Sequence, residues 1–132
     1  KTNTELADGS APAGSRLPQV PEFKAKLWIA KSSNLSALGG TEGFARASLS
    51  YTGDTVSAVQ PDYSYNQASF TIADVKVGIM GDDWELDIFV NNLTDERAEI
   101  AVNDWYFDFF FGNARQYTNR PREMGIRYTK RW

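Results

Sequence analysis

The stretch Arg122-Glu123-Met124-Gly125-Ile126-Arg127-Tyr128-Thr129-Lys130-Arg131-Trp132 closes the sequence and decides how the rest is read. Counted back from Trp132, every second residue gives Tyr128, Ile126 and Met124, with Lys130 as the polar exception. The residues between them, Arg131, Thr129, Arg127, Gly125 and Glu123, are polar or small. Period-two alternation marks a strand with one apolar face and one wet face. An aromatic at the end of such a strand suits the interfacial girdle of a membrane β-barrel, whose strands are lipid-facing on one side and water-facing on the other.

Four further strands are predicted upstream. Phe23–Lys31 sets Phe23, Ala25, Leu27 and Ile29 against Lys24, Lys26, Trp28 and Ala30. Phe44–Asp54 sets Ala45, Ala47, Leu49 and Tyr51 against Arg46, Ser48, Ser50 and Thr52. Ala68–Met80 sets Ala73, Val75, Val77 and Ile79 against Asp74, Lys76 and Gly78. Trp84 to about Leu93 sets Trp84, Leu86, Ile88 and Val90 against Glu85, Asp87, Phe89 and Asn91. Ser32–Gly43 reads as a turn region, Gly81-Asp82-Asp83 as a tight hairpin, and Thr55–Gln67 and Ala98–Asn119 as long loops. Residues 7–22, with Pro18 and Pro21 three apart, read as an extended loop. No helical period persists for three turns. The fold expected is therefore all-β: an antiparallel up-and-down meander of about five to six long strands.

In that meander one face carries Leu27, Ile29, Leu49, Val75, Val77, Leu86, Ile88, Val90, Met124 and Ile126, which are the expected lipid-facing residues. On the other face Lys24 and Lys26 fall beside Arg46, and Asp74 and Lys76 beside Glu85 and Asp87. Glu123, Arg127 and Arg131 follow next to those carboxylates. A barrel lumen would pair such charges across strands, and a soluble sandwich would leave them in bulk water.

Composition narrows the chemistry. The 132 residues carry 14 basic and 17 acidic side chains, a net charge of −3, which leaves no electrostatic footprint for nucleic acid. Aromatic residues make up 14% of the chain. There is no Cys and no His, which removes thiol and imidazole catalysis and most transition-metal sites. No apolar run reaches the roughly 18 residues of a spanning helix. The start, Lys1-Thr2-Asn3-Thr4-Glu5, has neither an initiator Met nor a signal-peptide pattern, so the chain is expected to be mature protein or a fragment.

Four segments carry a resemblance to TonB-dependent outer-membrane receptors. Asn91-Asn92-Leu93-Thr94-Asp95-Glu96-Arg97 resembles that family's penultimate-strand run. Gly14 to Pro21 resembles a G-x-R-L-P-x-V-P segment before a strand, and Tyr51-Thr52-Gly53-Asp54 a Y-x-G-(D/S) after the next. Arg120-Pro121-Arg122-Glu123-Met124-Gly125-Ile126 resembles the opening of the final strand. Each is weak alone; in register they span residues 14–132, and Asn3-Thr4-Glu5-Leu6 fits the end of one more strand.

The resemblance implies that residues 1–132 are the C-terminal part of a transmembrane β-barrel of about 22 strands, with its plug domain absent here. It implies an active transporter of siderophore-iron, haem, cobalamin or glycan in the outer membrane of a Gram-negative bacterium. The implied partners are outer-membrane lipid, the remaining barrel and plug, TonB through the absent N-terminal part, and the assembly machinery. Gly125, Tyr128 and Trp132 are similar to the assembly signal of such proteins. The resemblance also sets direction: hairpins 81–83 and 32–43 periplasmic, loops 55–67 and 98–119 extracellular. Lys130 departs from the family's apolar terminal strand, and a Lys near the rim can snorkel.

Other candidates are weighed against blander accounts. Trp105, Tyr106, Phe107, Phe109, Phe110 and Phe111 could form a substrate-stacking loop; packing against a neighbouring loop or the headgroup girdle is the stronger expectation. Asp82-Asp83 and Asp95-Glu96 fall short of the ligands Ca²⁺ requires, and no metal or cofactor is expected. Glu85 and Asp87 could make a glycosidase pair, but charge pairing explains them and no catalytic residue is assigned. The alternative reading is a soluble β-sandwich that binds carbohydrate. A sandwich buries its apolar faces against each other, whereas a barrel wall leaves them all on one outer side.

Overall fold

The computed structural model describes residues 1, 12–35, 41–59, 64–103 and 115–132. Among them there is no helix, and nine strands form three antiparallel sheets. Two compact units emerge.

The first unit to consider holds Ala25–Tyr51, Thr71–Glu96 and Arg120–Trp132. Its sheet has five strands: β1 (Lys24–Leu35), β2 (Thr41–Thr52), β5 (Phe70–Met80), β6 (Trp84–Asn91) and β9 (Glu123–Lys130). They lie in the order β1-β2-β5-β6-β9, a meander in which each long strand pairs with the next long one. The register stacks the alternating patterns: Val75 faces Val90, which faces Met124; Val77 faces Ile88, then Ile126; Ile79 faces Leu86, then Tyr128. A slip by one residue would exchange the two faces along the whole strand, so the patterns fix the pairing. The sheet does not close; among the described residues it ends on β1 and β9 as edges.

The expected turn Ser32–Gly43 is too wide. β1 runs on to Leu35 and β2 begins at Thr41, because Ser and Thr pair readily once a neighbouring strand supplies the ladder. The fourth strand ends at Asn91 rather than Leu93, since Asn92 turns into the left-handed region at φ 52°. At the tight hairpin the Gly81 amide donates to the Trp84 carbonyl at 2.9 Å, across Asp82-Asp83.

The second unit holds Lys1–Lys24, Thr52–Phe70 and Arg97–Asn119. The segments read as loops contain two short ladders. One is β3 (Thr55–Val56) with β4 (Asn66–Gln67); the other is β7 (Glu99–Asn103) with β8 (Arg115–Thr118), irregular between Glu99 and Ala101. Thr55 donates to the Gln67 side-chain carbonyl at 2.8 Å, and both residues are buried. The Gln19 amide donates to the Val56 carbonyl at 2.7 Å and the Gly53 amide to the Phe23 carbonyl at 2.9 Å. These bonds give the proline-bearing segment a backbone partner that its own sequence cannot supply. The extra strand end at Asn3–Leu6 and the aromatic loop from Trp105 to Phe111 lie outside the described residues.

Candidate functional site

The sheet's two faces are chemically unlike, and each can be built from its rows. The apolar face is open. Leu27 is 71% exposed and Ile126 74%, and Ile29, Leu49, Val77, Leu86, Ile88, Met124 and Tyr128 are exposed beside them. Val75 and Val90 are half-buried by their cross-strand neighbours. The buried apolar side chains among the described residues are Phe44, Ala98 and Val102, and none of these belongs to the expected apolar face. Apolar surface left in water costs on the order of 25 cal/mol for each Å².

The opposite face is a patterned polar surface. Its rows are Lys76–Phe89–Gly125, Gly78–Asp87–Arg127 and Met80–Glu85–Thr129. The Lys76 ammonium donates to Glu85 Oε1 at 2.6 Å and lies 3.0 Å from Asp87 Oδ1. Asp87 is 1% exposed, yet neither of its oxygens accepts a well-formed hydrogen bond among the described residues. The Lys76–Asp87 contact is therefore electrostatic, with Lys76 shared between two carboxylates. Of the two arrangements the sequence permits, charges paired across strands are seen at Lys76, Glu85 and Asp87. With one ammonium held by both carboxylates, the arrangement has no free acid–base pair.

Two aromatic rings on this face sit on glycines of the next strand. Phe44 of β2 lies over Gly78 of β5, where an added Cβ would come within 2.8 Å of the ring. Phe89 of β6 lies over Gly125 of β9, where it would come within 2.9 Å. A glycine leaves a gap on a pleated surface that a cross-strand aromatic fills. Each ring carries a guanidinium: the Arg46 Cζ lies 4.8 Å from the Phe44 centroid and the Arg127 Cζ 4.8 Å from that of Phe89. Lys76 also approaches Phe44, at 5.4 Å. Cross-strand register makes these stacks, so single-strand patterning gave no sign of them.

The segments that carry the sequence resemblance meet in pairs. Within one unit, Arg16 of the first segment grips Asp54 of the second, through Nη1 to Oδ2 at 2.7 Å and Nη2 to the Asp54 carbonyl at 2.6 Å. The Arg16 hydrogen bond, and then its charge, hold the Asp54 carboxyl below the usual carboxylate range. Within the other unit, Asn92 is 4% exposed and fully engaged. Its Nδ2 donates to the carbonyls of Glu96 at 2.9 Å and Arg120 at 3.0 Å, and its Oδ1 accepts the Glu96 amide at 2.9 Å. The Asn92 amide donates to Asp74 Oδ1 at 3.0 Å, and Ser48 donates to the other Asp74 oxygen at 3.2 Å. Asp95, at φ 54°, accepts the Arg122 amide at 2.7 Å. Asn92 thus ties the end of β6 to the segment that leads into β9.

At the terminal strand, Gly125 is the seat for Phe89, Tyr128 is exposed on the apolar face, and Trp132 is exposed beyond the last pairing. Lys130 faces Trp84, lies 3.6 Å from Asp83 and sits 5.3 Å over the Trp132 ring. The exception in the alternation has its partners at the hairpin end of the sheet. No group of His, Cys, Asp or Glu suited to a metal occurs among the described residues. Comparison with family models, curated proteins and solved structures returned no match to the chain.

Proposed function

We propose that this chain is barrel wall from a TonB-dependent outer-membrane receptor, an active importer of a scarce nutrient of the siderophore-iron, haem, cobalamin or glycan class. The observation that carries the reading is the sheet with one face apolar and open and the other laced with paired charge. Lipid is the solvent that favours the first face, and a wet lumen the one that favours the second. The pairwise locking of the motif segments, Arg16 to Asp54 and Asn92 to Arg120, supports the same reading, because residues scattered through the sequence then serve one architecture. In this reading β1 and β9 pair with the rest of a barrel of about 22 strands, a plug fills the lumen, and TonB acts through the N-terminal part. The protein carries no catalysis of its own.

The absence of Cys allows a direct test with single introduced cysteines. Spin labels placed one at a time from 124 to 129 should alternate in the membrane-reconstituted protein. Oxygen dissolved in lipid should reach 124, 126 and 128, while a water-soluble nickel chelate should reach 125, 127 and 129. Low accessibility of 124, 126 and 128 to both reagents, as in a sandwich that buries its apolar faces, would point to the soluble carbohydrate-binding module and end the membrane reading.

A further inference from the structure

We infer that the hairpin-side edge of the apolar face is a phospholipid headgroup boundary, where Lys31 and Lys130 hold lipid phosphates and the strands cross the bilayer at a slant. The inference rests on the membrane reading and adds to it a headgroup chemistry and a tilt. Its first ground is charge. Every Asp and Glu of the five strands, Glu42, Asp74, Glu85, Asp87 and Glu123, alternates onto the polar face. The apolar rows carry two charged side chains, Lys31 two residues beyond Ile29 and Lys130 two beyond Tyr128, and both are positive. Lys31 has no ion pair among the described residues. Lys130 reaches Asp83 across 3.6 Å, an exposed pair that contributes little and leaves ammonium donors free. Beside Lys31 lies an open hollow of about 580 Å³, lined from the apolar rows by Gly43, Ala45, Val77, Ile79 and Ile88. It seats the first carbons of an acyl chain whose phosphate is at Lys31.

The second ground is where the apolar rows stop. Ser48 bonds Asp74 and Phe44 sits over Gly78, which sets Ala45 beside Val77. Val77 faces Ile88, and Ile88 faces Ile126. The Gly53 amide bonds the Phe23 carbonyl, and counting along β1 and β2 from that pair sets Lys31 beside Ala45. Lys31 thus belongs to the row of Ile126, whereas Lys130 pairs with Trp84, two rows nearer the hairpins. The strands between follow the same drift. On the hairpin side the unbroken apolar runs end at Ile29 on β1, Ala45 on β2, Ile79 on β5 and Trp84 on β6, each one row further along. On the loop side they end at Tyr51 on β2, Ala73 on β5 and Val90 on β6, with the same step. The apolar face is therefore an oblique band. From Lys31 to Lys130 its edge moves about 13 Å along the strands over about 19 Å across them, a slope of about 35°. Strands of a membrane barrel tilt by roughly 35–45°. A level lipid surface meeting strands so tilted draws this slope.

The test reads the lipid beside each lysine. A bimane fluorophore is attached to a single cysteine introduced as Ile29→Cys, Val77→Cys or Tyr128→Cys in the full-length protein. The protein is reconstituted into phosphatidylcholine vesicles that contain brominated phosphatidylglycerol or brominated phosphatidylcholine. At 29 and 128 the anionic lipid should quench at a roughly fivefold lower mole fraction than the zwitterionic one. Lys31→Gln should abolish that preference at 29 and keep it at 128, Lys130→Gln should do the reverse, and Lys26→Gln, on the polar face, should alter neither. Depth gives the slope. Bromines near the glycerol should quench 29 more than 77, and bromines at the chain end should quench 77 more than 29, although 77 lies one row nearer the hairpins. Strands standing upright in the bilayer give the opposite order. Quenching with no headgroup preference, a preference that both glutamine variants keep, or the upright order of depths overturns the inference while the membrane reading stands. Absence of quenching by either lipid overturns both.

Discussion

Asn92 concentrates more of the sheet's polar bonding than any other side chain described above. Its amide group makes three hydrogen bonds and its backbone sits at φ 52°, a conformation that Asn tolerates better than most residues. Asn92→Ala loses all three bonds and adds backbone strain, for an expected loss of about 2–4 kcal/mol. Asn92→Gly keeps the backbone at ease and should lose less, and denaturant midpoints for the pair separate the two contributions. The glycines divide in the same way. An added Cβ at Gly78 meets the Leu86 carbonyl at 2.5 Å as well as the Phe44 ring, whereas at Gly125 it meets ring atoms of Phe89 only. A ring can turn aside and a paired backbone cannot. Gly78→Ala should therefore destabilise by about 2–3 kcal/mol and Gly125→Ala by about 1 kcal/mol, readable as the difference between their unfolding midpoints. Lys76 answers for two carboxylates at once, so Lys76→Met strands Glu85 and the buried Asp87 at a cost of about 3–5 kcal/mol. Adding Asp87→Leu to that variant should recover much of the loss.

At the scale of elements, the clasp between Arg16 and Asp54 joins the proline-bearing segment to the end of β2. Because the folded-state pKa of Asp54 is depressed, the clasp contributes in full above the ordinary carboxylate pKa and is lost as pH falls through the lowered value. Protection of the Gln19 amide, bonded to Val56, taken relative to unfolded-chain exchange at the same pH, should fall across that acid range in the native protein. In Asp54→Asn protection should be low throughout, with no step there. The long strands were legible in the sequence because alternation of apolar and polar residues repeats over eight or more residues, enough for period two to stand clear. The ladders β3–β4 and β7–β8 were not. Thr55–Val56 and Asn66–Gln67 are two residues each, too short for any period, and Arg115–Thr118 has Tyr117 as its one apolar side chain. Of the site, the split into an apolar and a polar face, and the nearness of Lys76 to Glu85 and Asp87, were readable in residue order, whereas exposure of the apolar row and pairing of the charges were not. The Phe–Gly–Arg stacks did not, since each depends on which residue of the next strand lies opposite.

For the whole molecule, the question is what the open apolar face and the two open edges meet. If they meet lipid and further strands, removing Trp132 from the full-length protein should reduce the amount assembled in the outer membrane, read as loss of the heat-modifiable folded band on gels. Unchanged assembly of the truncation would count against Gly125, Tyr128 and Trp132 as an assembly signal. The rings seated on glycines have a bearing on that process too. Backbone ladders look alike after any two-residue shift, because the faces are preserved and the hydrogen bonds re-form. Phe89 removes that degeneracy: shifted by two along β9 it would meet the Arg127 or Glu123 position in place of Gly125, and lose its seat. Phe44 applies the same condition one hairpin away, at Gly78. The sheet thus carries a vernier, two widely separated marks that coincide in only one alignment. A strand arriving out of step is left with a displaced ring as the sign of its error, and reason to slide again before it locks.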